Sequence, residues 1–99
     1  MTKKIDAIAN RYIVILQSLA SMAQRGEPIS DLAWVISKSC VETMLEAGAD
    51  ENEIMDCFGG KIMTCLELTA SDKPKYRTVL ETAYDYLVFC LEIKGISNR

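Results

Sequence analysis

The chain has 99 residues, of which 49% are hydrophobic and 25% charged, and its net charge is −3 at pH 7. This length allows one domain with one core, and the composition excludes a disordered chain. Two prolines and five glycines argue against a loop-rich or all-β domain. Because no basic face of the kind that neutralises a phosphate backbone is visible, nucleic acid is not an expected partner.

Much catalytic chemistry is absent from the sequence. The chain has no histidine, which excludes Ser-His and Cys-His dyads. We therefore expect no enzymatic activity, no cofactor and no metal. Each of the four cysteines lies in an apolar periodic segment, where a reduced thiol behaves as a small buried hydrophobe, and their spacing matches no common zinc site. They are Cys40, Cys57, Cys65 and Cys90.

The first predicted helix covers residues 3–24 and has two adjacent apolar stripes. One stripe has the three- and four-residue spacing of a heptad seam: Ile5, Ile8, Tyr12, Ile15, Leu19 and Met22. The second includes Ile13, Leu16 and Ala20. A face this wide can contact two neighbouring helices at once, or one neighbouring helix and a partner chain. The second possibility makes these three residues contact candidates and leads us to expect a homodimer. Gly26 is predicted to end the helix in a left-handed conformation.

The same segment does not fit a targeting or membrane sequence. Its uninterrupted apolar run covers only Tyr12 to Leu16, which is too short for a signal peptide or a bilayer span. We expect a cytoplasmic protein that does not interact with membranes.

The second predicted helix covers residues 29–47. Pro28 suits its first turn, and Ser30, followed by Asp31, is an alternative N-cap. The inward stripe is Leu32, Ile36, Cys40, Met44 and Ala47. Trp34 falls on a different face.

The stretch MLEAGADENEI, residues 44–54, resembles the end of an ankyrin repeat over about ten residues, but no second copy lies about 33 residues away. It also has the spacing of a helix-turn-helix, but its second helix begins with several carboxylates, which would repel DNA. A plain corner explains more residues. Gly48 ends one helix, and Asp50 and Glu53 form a capping box at the start of the next.

The third and fourth predicted helices cover residues 51–69 and 74–94. The pair Gly59–Gly60 costs the third helix about 2 kcal/mol relative to two alanines, and we expect one continuous or kinked helix there. Ser71 or Asp72 is predicted to cap the fourth helix, with Pro74 in its first turn. Gly95 is predicted to end it, leaving residues 96–99 as a loose tail.

The sequence therefore predicts an all-α, single-domain bundle of four helices over residues 1–99. Trp34 and Tyr84 are contact candidates because aromatic side chains dominate interfaces. The expected function is non-catalytic binding of another protein by an adaptor or inhibitor, for instance from a phage or mobile element.

Two alternatives stay open. A nucleic-acid regulator would need one basic face formed by Lys61, Lys73, Lys75 and Arg77. A small-ligand or metal-binding bundle would need an enclosed pocket near Cys57, Cys65 and Gly59–Gly60.

Overall fold

The computed structural model describes residues 2–29 and 31–97 and shows an all-α bundle of four helices. Helix α1 is Thr2–Gln24 and α2 is Leu32–Glu46. Helix α3 joins an α-helical turn (Glu51–Ile54), a π-helical turn (Met55–Gly59) and a longer α-helical part (Gly60–Leu68). Helix α4 is Pro74–Ser97. The predicted number and order of the helices are confirmed.

The α1–α4 pair lies at the centre of the bundle. These two helices pack against each other, and α2 and α3 flank them, each contacting both. The core is formed where the apolar stripes meet, with Leu16, Met44, Phe58 and Leu87 fully buried. Ile8 and Ile36 are partly buried against it. Burial of the apolar stripes stabilises the bundle, because most helical stability in proteins comes from the packing of an amphipathic face.

Two glycines end helices in the same way, as predicted. At the end of α1, Gly26 has φ +87°; its N–H donates to Ala23 O, and the Glu27 N–H donates to Met22 O. At the end of α2, Gly48 has φ +97°, and the N–H groups of Gly48 and Ala49 donate to Leu45 O and Met44 O. This pair of bonds is a Schellman motif, which satisfies carbonyls that a helix end leaves unpaired.

The corner interpretation of residues 44–54 is confirmed by the start of α3. The Glu53 N–H donates to Asp50 Oδ1 at 2.8 Å, and the Asp50 N–H donates to Glu53 Oε1 at 3.1 Å. This reciprocal pair is the predicted capping box. Ala49 and Ile54 are both buried beside it.

Helix α2 begins later than predicted. Its first residue is Leu32, with Asp31 at the N-cap position but without a side-chain capping bond. Pro28 therefore precedes the helix instead of lying in its first turn, and Ser30 lies outside the described residues. Proline is well suited to the first turn of a helix, but it does not by itself make the residues that follow it helical.

Helix α3 continues through its glycine pair. Gly59 and Gly60 both have helical φ values, −59° and −61°, and the irregularity lies before them, in the π-helical turn. A π turn contains one more residue than an α turn, which changes the side chains that face a neighbour. Gly59 is buried there, and a Cβ added to it would lie 3.4 Å from Leu87 Cδ2 and 3.5 Å from Tyr84 Cε2.

Both ends of α4 differ from the predictions. Its first free N–H groups, those of Lys75 and Tyr76, donate to Gln24 Oε1 at 3.1 Å, so α1 supplies the cap in place of Ser71 or Asp72. At the other end the helix continues through Gly95 to Ser97, because glycine lowers helix stability without forbidding a helical backbone. Of the predicted loose tail, residues 96 and 97 are helical, and residues 98 and 99 lie outside the described residues.

Candidate functional site

An aromatic cluster lies on the surface between α2 and α4. The ring centroid of Trp34, on α2, is 5.0 Å from that of Tyr86 at an interplanar angle of 79°. The ring of Phe89 lies 5.8 Å from Trp34 at 48°. Edge-to-face and tilted pairs at these distances are favourable, because the positive edge of one ring meets the negative face of another.

A close approach of α2 and α4 positions this cluster. Ser37 is fully buried, and its hydroxyl donates to the carbonyl oxygen of Ala83 at 3.2 Å, so no polar group is left unsatisfied there. The small side chains of Ala33 and Ala83, both buried, allow the two backbones to approach. The larger rings of the cluster therefore lie at the edge of the contact.

The cluster is not closed off from solvent. Phe89 is 50% exposed, although its ring contacts Trp34. One turn further along α4, Ile93 is 44% exposed. Burial of this much aromatic and aliphatic surface by a partner would be favourable. Val35 on α2 is also exposed, and two charged residues, Lys38 and Asp85, lie one helical turn from Trp34 and Phe89.

We define the α2–α4 surface as Trp34, Val35, Lys38, Asp85, Tyr86, Phe89 and Ile93. Other large hydrophobic side chains are exposed elsewhere: Val14, Ile15, Leu32, Met63 and Leu68. Single exposed hydrophobic residues are normal on a protein surface. The α2–α4 surface is distinguished by an exposed ring that extends an aromatic cluster.

The predicted contact residues are separated by the fold. Trp34 belongs to the α2–α4 surface, but Tyr84 is half-buried on the α3 side of α4, next to Gly59. Ile13, Leu16 and Ala20 are 7%, 0% and 0% exposed. They lie in the core, because the other three helices all pack on α1 and cover its wide face.

Sequence reasoning did not name Tyr86, Phe89 or Ile93 as contact residues. Their spacing of three and four was a usable signal, because it places them on one face of a helix. The sequence did not show that α2 leaves part of this face of α4 uncovered.

A groove of about 520 Å³ lies between α1 and α3, and its lining includes Cys57, Gly60 and Cys65. Lys61 Nζ is 3.0 Å from Asp6 Oδ1 at its edge, and the Cys57 thiol donates to the same carboxylate oxygen at 3.6 Å. Hydrogen bonding and the positive charge of Lys61 lower the pKa of Asp6. Burial and the negative charge of Asp6 raise the pKa of Cys57, which disfavours the nucleophilic thiolate form.

The cysteines show no disulfide in the structure. Cys40 and Cys90 are buried, and Cys57 and Cys65 are half-buried. Burial raises the pKa of Cys40 to about 12. Within residues 2–29 and 31–97, no group of three or more Cys, Asp or Glu side chains is arranged to hold a metal ion.

The predicted basic cluster has structural contacts of its own. Arg77 Nη1 donates to the carbonyl oxygens of Leu66 and Thr69 at 2.7 and 3.1 Å, which satisfies the C-terminal end of α3. Lys61 pairs with Asp6, and Lys73 Nζ lies 5.9 Å from the centre of the Tyr76 ring. Lys61 therefore lies beside α1, whereas Lys73 and Arg77 lie together at the start of α4.

Fold and surface together define an all-α four-helix bundle with an exposed aromatic cluster. Comparison with known proteins gives no match: no protein family, no curated protein and no solved structure is significantly similar to this chain. Among the described residues, no helix is both long enough and apolar enough to span a membrane.

Proposed function

We propose that this protein is a non-catalytic binding protein that acts by binding another protein through the α2–α4 surface. The observation that supports this proposal is the half-exposed ring of Phe89, which packs on Trp34 and leaves one side of the aromatic cluster open. Small size and the absence of histidine fit an adaptor or inhibitor, for instance one of phage or mobile-element origin, that works in the cytoplasm and self-associates.

Exposed aromatic surface is unfavourable in water, and a partner that buries it gains free energy. Aromatic side chains supply a large part of the binding energy at protein interfaces, mainly where they fill a desolvated pocket. Trp34 and Tyr86 are already held in one arrangement by their packing, so a partner that covers them would not have to order them first.

The test is a comparison of two matched variants in the cell from which the sequence comes. Phe89→Ser removes the exposed ring of the α2–α4 surface. Leu68→Ser removes the most exposed large hydrophobic side chain of the described residues, 82% exposed at the end of α3. We expect proteins that co-purify with the wild type to be retained by Leu68→Ser and lost with Phe89→Ser, while both variants keep the helical circular dichroism of the wild type. Equal retention by the two variants would contradict the proposal.

The groove between α1 and α3 supports a second candidate, the binding of a small ligand. Its volume of about 520 Å³ lies in the range of small-molecule sites, which is about 300–1,000 Å³, although it is an open surface groove and not an enclosed pocket. Lys61, Asp6 and Cys57 would supply the polar contacts. Native mass spectrometry of freshly purified protein tests this candidate, since a retained ligand would appear as added mass, and a Gly60→Trp variant that fills the groove should lose it.

A further inference from the structure

The contacts between α2 and α4 show that these helices run in opposite directions. Trp34 contacts Tyr86 and Phe89, whereas Ser37, further along α2, bonds to Ala83, earlier in α4. A step towards the end of α2 is therefore a step towards the start of α4. Lys38 is one turn after Trp34, and Asp85 is one turn before Phe89. Both charged groups consequently lie towards the same end of the aromatic cluster, Lys38 on α2 and Asp85 on α4.

Lys38 and Asp85 are both exposed. Neither takes part in an ion pair within the part of the chain that the structure describes, where the ion pairs are Arg25–Glu27 and Lys61–Asp6. The α2–α4 surface thus has a positive group on one helix, a negative group on the other, and an apolar strip that includes Phe89 and Ile93.

This surface is complementary to itself. A two-fold axis that runs along the seam between α2 and α4 would place α2 of each copy on α4 of the other. Because the axis preserves position along the helices, Lys38 of each copy would meet Asp85 of the other, and Trp34 would approach the second Phe89. An isologous interface forms each contact twice. A two-fold axis perpendicular to the helices would instead pack α4 against α4, and the α4 residues of this surface (Asp85, Tyr86, Phe89 and Ile93) include no positive charge to face Asp85.

We propose that a second copy of this chain covers the α2–α4 surface, forming a symmetric dimer in which α2 of each copy packs on α4 of the other. The proposal rests on the proposed function, in which a protein covers this surface, and it identifies that protein as a second copy of the chain. The opposite charges select this pairing, because complementary charges fix the register of an interface and like charges oppose it. The apolar strip supplies the affinity.

The experiment uses two charge reversals, Lys38→Asp and Asp85→Lys, with the full chain. In dimers of either variant, like charges face each other in both symmetry-related 38–85 contacts. In a mixture of the two variants, the mixed dimer has opposite charges facing each other in both of these contacts. Light scattering after size exclusion should give twice the monomer mass of 11.0 kDa for the wild type and the mixture. Each variant alone should approach the monomer mass, with a Kd raised about tenfold or more.

Matched reversals away from the surface are the controls. Lys4→Asp on α1 and Glu67→Lys on α3 change exposed residues by the same charge and should leave the dimer mass unchanged. Dimers that persist in both surface variants, or a mixture that stays monomeric, would overturn this pairing of the helices.

The dimer and the proposed function can fail separately. A wild-type chain that remains monomeric at every concentration examined would overturn the dimer. The comparison of Phe89→Ser with Leu68→Ser would still decide whether a different protein binds the surface.

Discussion

Gly48 and Gly59 both lie where helices meet, yet the chain uses glycine there for different reasons. Gly48 has φ +97° and nothing within 4 Å of an added Cβ, whereas Gly59 is helical and has Leu87 and Tyr84 beside it. The first position requires a backbone that L-residues rarely adopt. The second requires a small residue because α4 is close. Glycine is thus required by the local backbone conformation at Gly48 and by the packing of another helix at Gly59.

The corner around Gly48 and the glycine pair in α3 therefore teach different lessons about prediction. At the corner, every bond joins residues that are close in sequence, such as Asp50 and Glu53. At Gly59, two of the three nearest side chains, those of Leu87 and Tyr84, belong to α4, far along the chain. Substitutions at the two regions should consequently differ in size and sign.

The largest effect is expected from Gly59→Leu. The new side chain would have to occupy the space taken by Leu87 and Tyr84, and overpacking of this kind lowers the free energy of unfolding by about 1–3 kcal/mol. Urea denaturation monitored by circular dichroism measures it. Gly60→Leu is the matched control, because an added Cβ there has nothing within 4 Å. Equal losses of stability at positions 59 and 60 would show that packing against α4 does not distinguish the two glycines.

Gly48→Ala should have the next largest effect. Because alanine disfavours the left-handed conformation that Gly48 adopts, we expect a loss of about 1–2 kcal/mol in the free energy of unfolding. Gly48→Asn should lose less, since asparagine tolerates this conformation better. Thermal and urea melts of the two variants provide the measurement. An alanine variant as stable as the wild type would contradict a requirement for the left-handed conformation at this corner.

Gly60→Ala should change stability in the opposite direction. Gly60 is helical, exposed and open to an added methyl group, so alanine should raise the free energy of unfolding by about 0.5–1 kcal/mol through backbone entropy and helix propensity. The same urea titration tests this, with wild type alongside. Destabilisation would mean that the π-helical turn depends on both glycines.

The smallest effect is expected at the ion pair between α3 and α1. Its hydrogen bond and charge lower the pKa of Asp6, so the pair stabilises the fold above the unfolded pKa of about 4 and loses that contribution as pH falls through the folded pKa. Lys61→Met should therefore lower Tm at neutral pH and have less effect in acid.

The exposure of Asp6 keeps this effect small, and added salt should reduce it further. Lys4→Met, which removes an exposed charge from α1, is the control. A Tm difference that does not change with pH would indicate that Lys61 acts through packing alone.

The errors of sequence reasoning share a cause. The contact role predicted for Ile13 and Leu16 assumed that the wide face of α1 would remain partly free, but the other helices cover it. Ser71 or Asp72 was a reasonable cap for α4, yet Gln24 supplies the acceptor. A single sequence shows which groups need partners without showing which distant residue provides them.

The surface was predicted only in part. Trp34 was recognised as an aromatic residue off the inward stripe of its helix, and it does lie at the α2–α4 surface. Tyr84 satisfied the same criterion but packs beside Gly59. Helical spacing shows on which face of its own helix a residue lies. It does not show which of those faces another helix covers.

By itself, the sequence determined the four helices, the left-handed glycines that end α1 and α2, and the capping box that begins α3, because these depend on contacts between residues within a few positions of each other. Only the tertiary structure decided that α1 and α4 form the centre, that Gly59 lies against α4 and that Phe89 remains half exposed. Those features depend on how amphipathic helices share their apolar faces, and several arrangements of the same helices satisfy the same spacing.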